Sequence, residues 1–207
     1  MVIVFAKAPV AGFAKTRLAA ALGDDGAALL AQRLLAAAVA QALDSAVGPV
    51  ELCCAPDRDH PAFAALGRGA ALTEQGAGDL GARMARAFER ALVQHGRAIL
   101  IGTDVPGLDA SYLRAAVACF EHCDCVLGPA LDGGYTLIGL KRPAPELFEG
   151  IAWSTAQVLD QTRARLRRLG RAWTELDALA DIDEPADLRH LPATWRTDFG
   201  MEPTCSR

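Results

Sequence analysis

Four stretches of the 207-residue chain gather cations, carboxylates and glycines in patterns suited to a phosphorylated ligand. The first follows an apolar run and carries Lys7, Pro9, Gly12, Lys15 and Arg17. Its Lys15-Thr16 step looks like a P-loop, but the G-x-x-x-x-G-K-[ST] spacing is missing, so this is not a Walker A site. A basic, glycine-containing loop that opens a helix still suits a pyrophosphate. Backbone amides and the helix N-terminus supply positive potential, Lys15 a point charge and Arg17 a bidentate fork. Taken alone, the segment reads equally well as solvated loop charge.

The second stretch is Ile101-Gly102-Thr103-Asp104-Val105-Pro106, directly after a second apolar run. An aspartate there is placed to hold Mg²⁺ or Mn²⁺, hard cations that need one or two protein carboxylates and leave their other positions to water and phosphate. The competing reading is a cap on the helix that follows, for which Asp109 is better positioned. Third, Asp132-Gly133-Gly134-Tyr135 reads as a hairpin turn or as a place where an acceptor lies close to backbone; Asp132 is the residue that would contact or deprotonate it. Late in the chain stand Asp181 and Asp183. Gln75 and Asp79 flank glycines ahead of another helix: Asp79 is a natural N-cap, and Gln75 has the donors and acceptor to read a base edge.

These residues need a scaffold that brings their loops to one edge. Val2 to Phe5, Val50 to Cys54, Ala70 to Thr73, Ala98 to Ile101, Val126-Leu127, Tyr135 to Leu140 and about Ala172 to Glu175 read as strands. Helical patterns separate them. One is long and alanine-rich, with Leu22, Leu29, Leu30, Leu34, Leu35, Val39 and Leu43 on its apolar face. Another is Leu80 to Val93, with Leu80, Met84, Phe88 and Leu92 on one side; others are Asp109 to Cys119 and about Thr155 to Leu169. Such alternation predicts an α/β fold: a mostly parallel central sheet flanked by helices on both faces, with ligands outside the carboxyl ends of the strands. The length fits a single domain, its core at about residues 1–191 and a peripheral tail at 192–207.

Composition narrows the function. Hydrophobic residues make up 52 % and charged residues 22 %, ordinary values for a globular chain. A net charge of −4 and a pI near 5.6 leave no basic field for nucleic acid or an anionic membrane. Lys7 interrupts the opening apolar run, so neither a signal peptide nor a membrane span is expected, and the cytoplasm is the expected compartment. Six cysteines are too sparse for a disulfide framework. The group Cys119, His122, Cys123 and Cys125 lacks the second ligand pair a zinc site needs.

The ordered set of motifs resembles one family. It runs through Val4-Phe5-Ala6-Lys7-Ala8-Pro9, Lys15-Thr16-Arg17-Leu18, Gln75 with Asp79-Leu80-Gly81, and Ile101 to Leu108. Gly128-Pro129, Asp132 to Tyr135, Trp153-Ser154-Thr155 and Asp181-Ile182-Asp183-Glu184-Pro185 continue it. The chain resembles the bacterial DUF2064 group, glycosyltransferases of the radical-SAM and selenodomain-associated type. The resemblance implies a Rossmann-like GT-A fold related to small-molecule nucleotidyltransferases. It also implies that Ala6, Lys7, Pro9, Gly12, Lys15, Arg17, Gln75 and Asp79 face the nucleotide, while Asp104 and Asp183 hold the metal. The expected partners are a nucleotide sugar or nucleoside triphosphate and a small-molecule acceptor. The sequence departs from the family pattern at Ala11, Thr103 and Glu184, the last adding a carboxylate beside the metal site. Three readings follow: a metal-dependent glycosyltransferase, a guanylyl- or cytidylyltransferase-like enzyme using the same loop and metal, and a nucleotide-binding module without turnover.

Overall fold

The computed structural model describes residues 1–65 and 68–200. Seven strands form one sheet: β1 (Val2–Lys7), β2 (Val50–Ala55), β3 (Ala71–Glu74), β4 (Ala98–Ile101), β5 (Cys125–Pro129), β6 (Tyr135–Leu140) and β7 (Trp173–Glu175). Their order is β3-β2-β1-β4-β6-β5-β7. Every pairing is parallel except those of β6 with β4 and β5. The exception follows from chain length: five residues separate β5 from β6, and a connection that short can only return the chain antiparallel. The sheet is therefore mostly parallel, as the alternating pattern implies. The same inversion brings the start of β6 to the edge where the parallel strands end.

The helices are α1 (Ala19–Asp44), α2 (Pro61–Ala64), α3 (Leu80–His95), α4 (Ala110–Cys119), α5 (Val158–Arg168) and α6 (Ala193–Arg196). Capping sets the ends of α3: Asp79 accepts from the Ala82 amide, and Gly96 closes the helix in the left-handed region. Asp109 caps α4 by accepting from Tyr112 N at 2.8 Å, which assigns capping to Asp109 and not to Asp104. Val4, Leu52, Ile99, Ile101 and Leu113 pack with Leu35 and Val39 on one face of the sheet. Ile3, Leu100, Leu127 and Ile138 pack with Met84, Phe88 and Leu166 on the other. Each such fully buried aliphatic side chain contributes about 1.5–3 kcal/mol relative to exposure.

Two apolar positions fall outside the expected core. Leu29 is 54 % exposed, because the buried stripe of α1 runs through Ala27, Leu30, Leu34, Leu35, Val39 and Ala42 and Leu29 lies about a quarter turn off it. Leu80, in the first turn of α3, is 39 % exposed, while its neighbour Gly81 is the residue of that turn that packs inward, against Phe148 and Trp153. Residues 16–44 are long and apolar enough to cross a membrane by length and composition. In the fold, Gly23 interrupts the helix at φ 72°, and the apolar stripe of α1 covers the sheet. Of the segment expected as a tail, Trp195 and Phe199 pack against the cluster of Leu30, Leu34, Ile182 and Leu191, and Arg33 lies over the Trp195 ring. Residues 201–207, including Cys205, lie outside the described part. Cys123 Sγ donates to Cys119 O while Cys125 is buried in β5, and no group of three metal-ligating side chains occurs among the described residues.

An ion pair fastens the outer strand β7 to α5. Arg163 donates Nε and Nη2 to the two Glu175 oxygens at 2.8 and 2.6 Å, and Trp173 Nε1 adds a third bond at 3.0 Å. Hydrogen bonding from Arg163 holds the Glu175 carboxyl below its ordinary 4.5, so its stabilising contribution is present above that pH and is lost as pH falls through the depressed value. Glu175→Gln is expected to cost about 1–2 kcal/mol at pH 7 and much less near pH 3. Thermal melts across that range check this; equal losses at both ends would refute it.

Candidate active site

Backbone bonds register the loop after β4, the β5–β6 turn and the segment after β7 at the carboxyl edge. The chain after β7 runs beside the β5–β6 turn: Leu179 N donates to Pro129 O at 3.0 Å and Leu131 N to Leu179 O at 3.1 Å. Tyr112 Oη anchors the same segment through Asp177 O at 2.7 Å. Ile182 N then donates to Asp104 O at 2.9 Å, stitching the loop after β4 to the segment that carries Asp181 and Asp183. Parallel strands thus deliver carboxylates from distant parts of the chain to one place.

Lys15 meets them there. Its ammonium lies 2.8 Å from Asp104 Oδ1, 2.7 Å from Asp183 Oδ1 and 2.5 Å from Ile182 O. The Lys15 side chain is 6 % exposed, whereas those of Asp104 and Asp183 are 42 % and 46 % exposed. Burial pulls the Lys15 pKa down, but the two carboxylates together outweigh it and the net direction is up, so the ammonium stays charged. Lys15 also has φ 51°, a left-handed backbone that costs a non-glycine residue about 1 kcal/mol or more and is held here by these contacts.

Beside this triad, Asp104, Asp132, Gly134, Tyr135, Thr136 and Asp181 line a cleft of about 140 Å³. Burial, with the Asp132 charge adding to it, pushes the Asp181 carboxyl up to about 6. Asp132 Oδ1 accepts from Gly134 N at 2.8 Å, so the hairpin reading of this turn holds while the residue still faces the cleft. Gly133 has φ 91° and backs directly onto α5's approach: a Cβ would sit 2.4 Å from Ala156 O. Only glycine fits, and the close packing fixes Asp132 in position.

Of the residues singled out in the sequence, Lys15, Asp104 and Asp183 converge, and Asp132 joins them through the cleft. Arg17 is 64 % exposed and pairs loosely with Glu184 at 3.7 Å, so the extra carboxylate at 184 is turned toward the rim. Lys7 and Gly12 are exposed and Pro9 is half-buried on the same first loop. Three others are committed elsewhere. Ala6 is fully buried, and its carbonyl accepts from Gln75 Nε2 at 2.9 Å; the same amide donates to Cys53 O at 3.2 Å. Gln75 therefore clamps β1 to β2, its amide nitrogen spent on backbone, and Asp79 caps α3. Asp181, which the sequence offers beside Asp183 without a role of its own, is a further carboxylate of the cleft. It stands two positions before Asp183, a spacing that in an extended segment turns both carboxylates to the side opposite the buried Ile182.

Behind the cleft, Tyr135 and Trp153 meet edge to face at 6.5 Å, and the Tyr135 hydroxyl and Trp153 Nε1 are buried with no partner among the described residues. Burial drives the phenol pKa upward. An unpartnered buried hydroxyl costs about 1–3 kcal/mol, so Tyr135→Phe is expected to leave stability unchanged or raise it by about 1 kcal/mol; a melt showing a fall of that size would give the hydroxyl a partner.

A family profile described as an uncharacterized protein conserved in bacteria, DUF2064, matches residues 34–155. Comparison with curated proteins gives no match. Among solved structures, a provisionally named nucleotide-diphospho-sugar transferase from Desulfovibrio desulfuricans G20 is 30 % identical, with a TM-score of 0.83 over 95 % of this chain and 86 % of that one. The CMP:2-keto-3-deoxy-manno-octonic acid synthetase solved with CTP is 12 % identical, with a TM-score of 0.61 over 96 % and 98 % of the chains. Rv0371c of Mycobacterium tuberculosis H37Rv in complex with manganese is 18 % identical, with a TM-score of 0.51 over 92 % and 97 %. The last two show a shared fold. With the family profile covering more than half its length and the D. desulfuricans structure matching nearly all of it, the chain belongs to the DUF2064 family.

Proposed function

We propose that the protein is a metal-dependent glycosyltransferase that takes a nucleotide-diphosphate sugar as donor and a small molecule as acceptor. The observation that carries this reading is the meeting of Asp104 and Asp183 on the Lys15 ammonium at the carboxyl edge. Two carboxylates that already share one cation fit Mg²⁺ or Mn²⁺, whose remaining positions go to water and phosphate oxygens. The bound ion would supply charge neutralisation on the diphosphate. The chain's own groups do the rest: the first loop, with Lys7, Gly12 and Arg17, cradles the diphosphate, and Lys15 offsets charge developing on the departing nucleoside diphosphate. The cleft is smaller than a whole nucleotide-sugar site requires. It suits the reacting sugar carbon and the acceptor group, with Asp132 and Asp181 placed to bind or deprotonate that acceptor, while the nucleotide lies along the open first loop.

The similarity to the D. desulfuricans protein supports the sugar donor, and the manganese complex of Rv0371c supports the metal. The CTP-bound synthetase, whose fold matches this chain end to end, favours a second reading, nucleotidyl transfer from a nucleoside triphosphate to a small substrate. A ligand panel separates the two. UDP-, GDP- and CDP-sugars and the matching triphosphates are screened with Mn²⁺ by thermal shift, and the products of the stabilising ligand are then analysed. Nucleoside diphosphate release with sugar transfer or hydrolysis supports the first reading, and pyrophosphate release from CTP or GTP replaces it with the second. Metal-independent nucleotide binding without product leaves only a binding module.

A further inference from the structure

The Lys15 ammonium uses its three N–H groups on three acceptors, Asp104 Oδ1 at 2.8 Å, Asp183 Oδ1 at 2.7 Å and Ile182 O at 2.5 Å. Those two carboxylates are the ones proposed to hold the metal. The lysine is nearly sealed, while its carboxylates keep almost half their surface open to solvent. We infer that Lys15 is a tethered cation that fills the acidic cradle in the free protein and must leave before a divalent ion enters, so that metal and nucleoside diphosphate bind as a unit. This rests on the metal-and-nucleotide reading above and adds an order of events to it.

The argument is electrostatic. A dication shared by Asp104 and Asp183 takes the oxygens that solvate the ammonium and is repelled by it at contact range. Free metal therefore displaces Lys15 with no new anion to receive it. A diphosphate changes that balance, because its oxygens accept the ammonium on its flexible four-carbon stem while the metal takes over the carboxylates. Each ligand thereby lowers the cost of binding the other, a positive coupling that must be reciprocal. The left-handed backbone at Lys15 is consistent with a residue held in place by its contacts and ready to relax when they are exchanged.

The test is Mn²⁺ binding by electron paramagnetic resonance, with thermal shift in parallel, on wild type, Lys15→Met and Lys15→Gln, each alone and with UDP, GDP or CDP. Wild type is expected to bind Mn²⁺ weakly alone and at least tenfold more tightly with the preferred diphosphate. Both variants are expected to bind Mn²⁺ alone at least tenfold more tightly than wild type, with the coupling to the diphosphate reduced. If removing the lysine loosens the fold, Mn²⁺ alone is expected to restore it, giving a larger thermal shift than in wild type. Equal or weaker Mn²⁺ binding by the variants, or no rescue of a loosened variant, overturns the inference while leaving metal-dependent nucleotide binding in place. Absence of Mn²⁺ binding to wild type under every condition overturns the reading it rests on, and the inference with it.

Discussion

Alanine at position 104 is expected to lower turnover of the preferred nucleotide-diphosphate sugar by about 10²–10³-fold at saturating Mn²⁺, equivalent to about 3–4 kcal/mol of transition-state stabilisation. The fold should survive. Asp104 is 42 % exposed, and Lys15 keeps Asp183 and the Ile182 carbonyl when it is lost, so the first loop stays docked. The backbone stitch from Ile182 N uses the carbonyl of residue 104 and is indifferent to the side chain. Asp104→Asn separates charge from shape: its amide oxygen can still accept from Lys15 but cannot neutralise a dication. Both variants should therefore lose activity together, with a melting temperature within a few degrees of wild type. Steady-state kinetics on the two proteins decide the matter. Wild-type turnover by either would remove Asp104 from the chemistry.

The parts of the site that were legible in the sequence share one property: their signal is local. Asp104 follows a wholly apolar four-residue strand, Asp132 precedes a glycine pair, and Lys15 follows a glycine between strand and helix. Knowing that ligands gather where parallel strands end was enough to put these on one edge. The fold class was readable for the same reason, since strand and helix periodicities alternate along the chain. What could not be read depends on contacts made across distance. Gln75 looked like a reader of a base because it sits among glycines, but its direction is set by the register of β1 against β2, which places Ala6 O and Cys53 O within its reach. The role of Asp181 depends on the segment after β7 lying beside the β5–β6 turn, a pairing of residues some 50 apart that no periodicity encodes. The antiparallel β6 was implicit in the five-residue Ala130–Gly134 connection, a length cue where alternation alone suggests a parallel strand.

The largest stability effect is expected from a pair that carries no chemistry. Glu51, on β2 next to the edge strand β3, is 2 % exposed; Arg90 of α3 pairs with both its oxygens, and Thr73 Oγ1 donates to it at 2.7 Å. Burial pulls the Arg90 pKa down, but its bonds to Glu51 win and the net direction is up, as for a guanidinium held in a tight pair. Arg90→Ala leaves a carboxylate inside the protein with a single hydroxyl for company, a change that costs about 3–5 kcal/mol. In a domain of this size that is a fall in melting temperature on the order of 10 °C. Replacing both partners with apolar residues, Glu51→Leu with Arg90→Met, should recover most of the loss, because the penalty lies in the orphaned charge more than in the lost attraction. The loss should also be uneven. Arg90 Nη2 reaches Thr73 Oγ1 at 3.2 Å, and β3 is an edge strand with no fully buried residue, so this cluster is much of what holds it. Amide exchange in Arg90→Ala is expected to rise most at Ala71–Glu74 and in the Gln75–Asp79 loop that β3 positions, and least in β1. Uniform acceleration across the sheet would mean that the pair stabilises the domain as a whole and gives β3 no particular anchor.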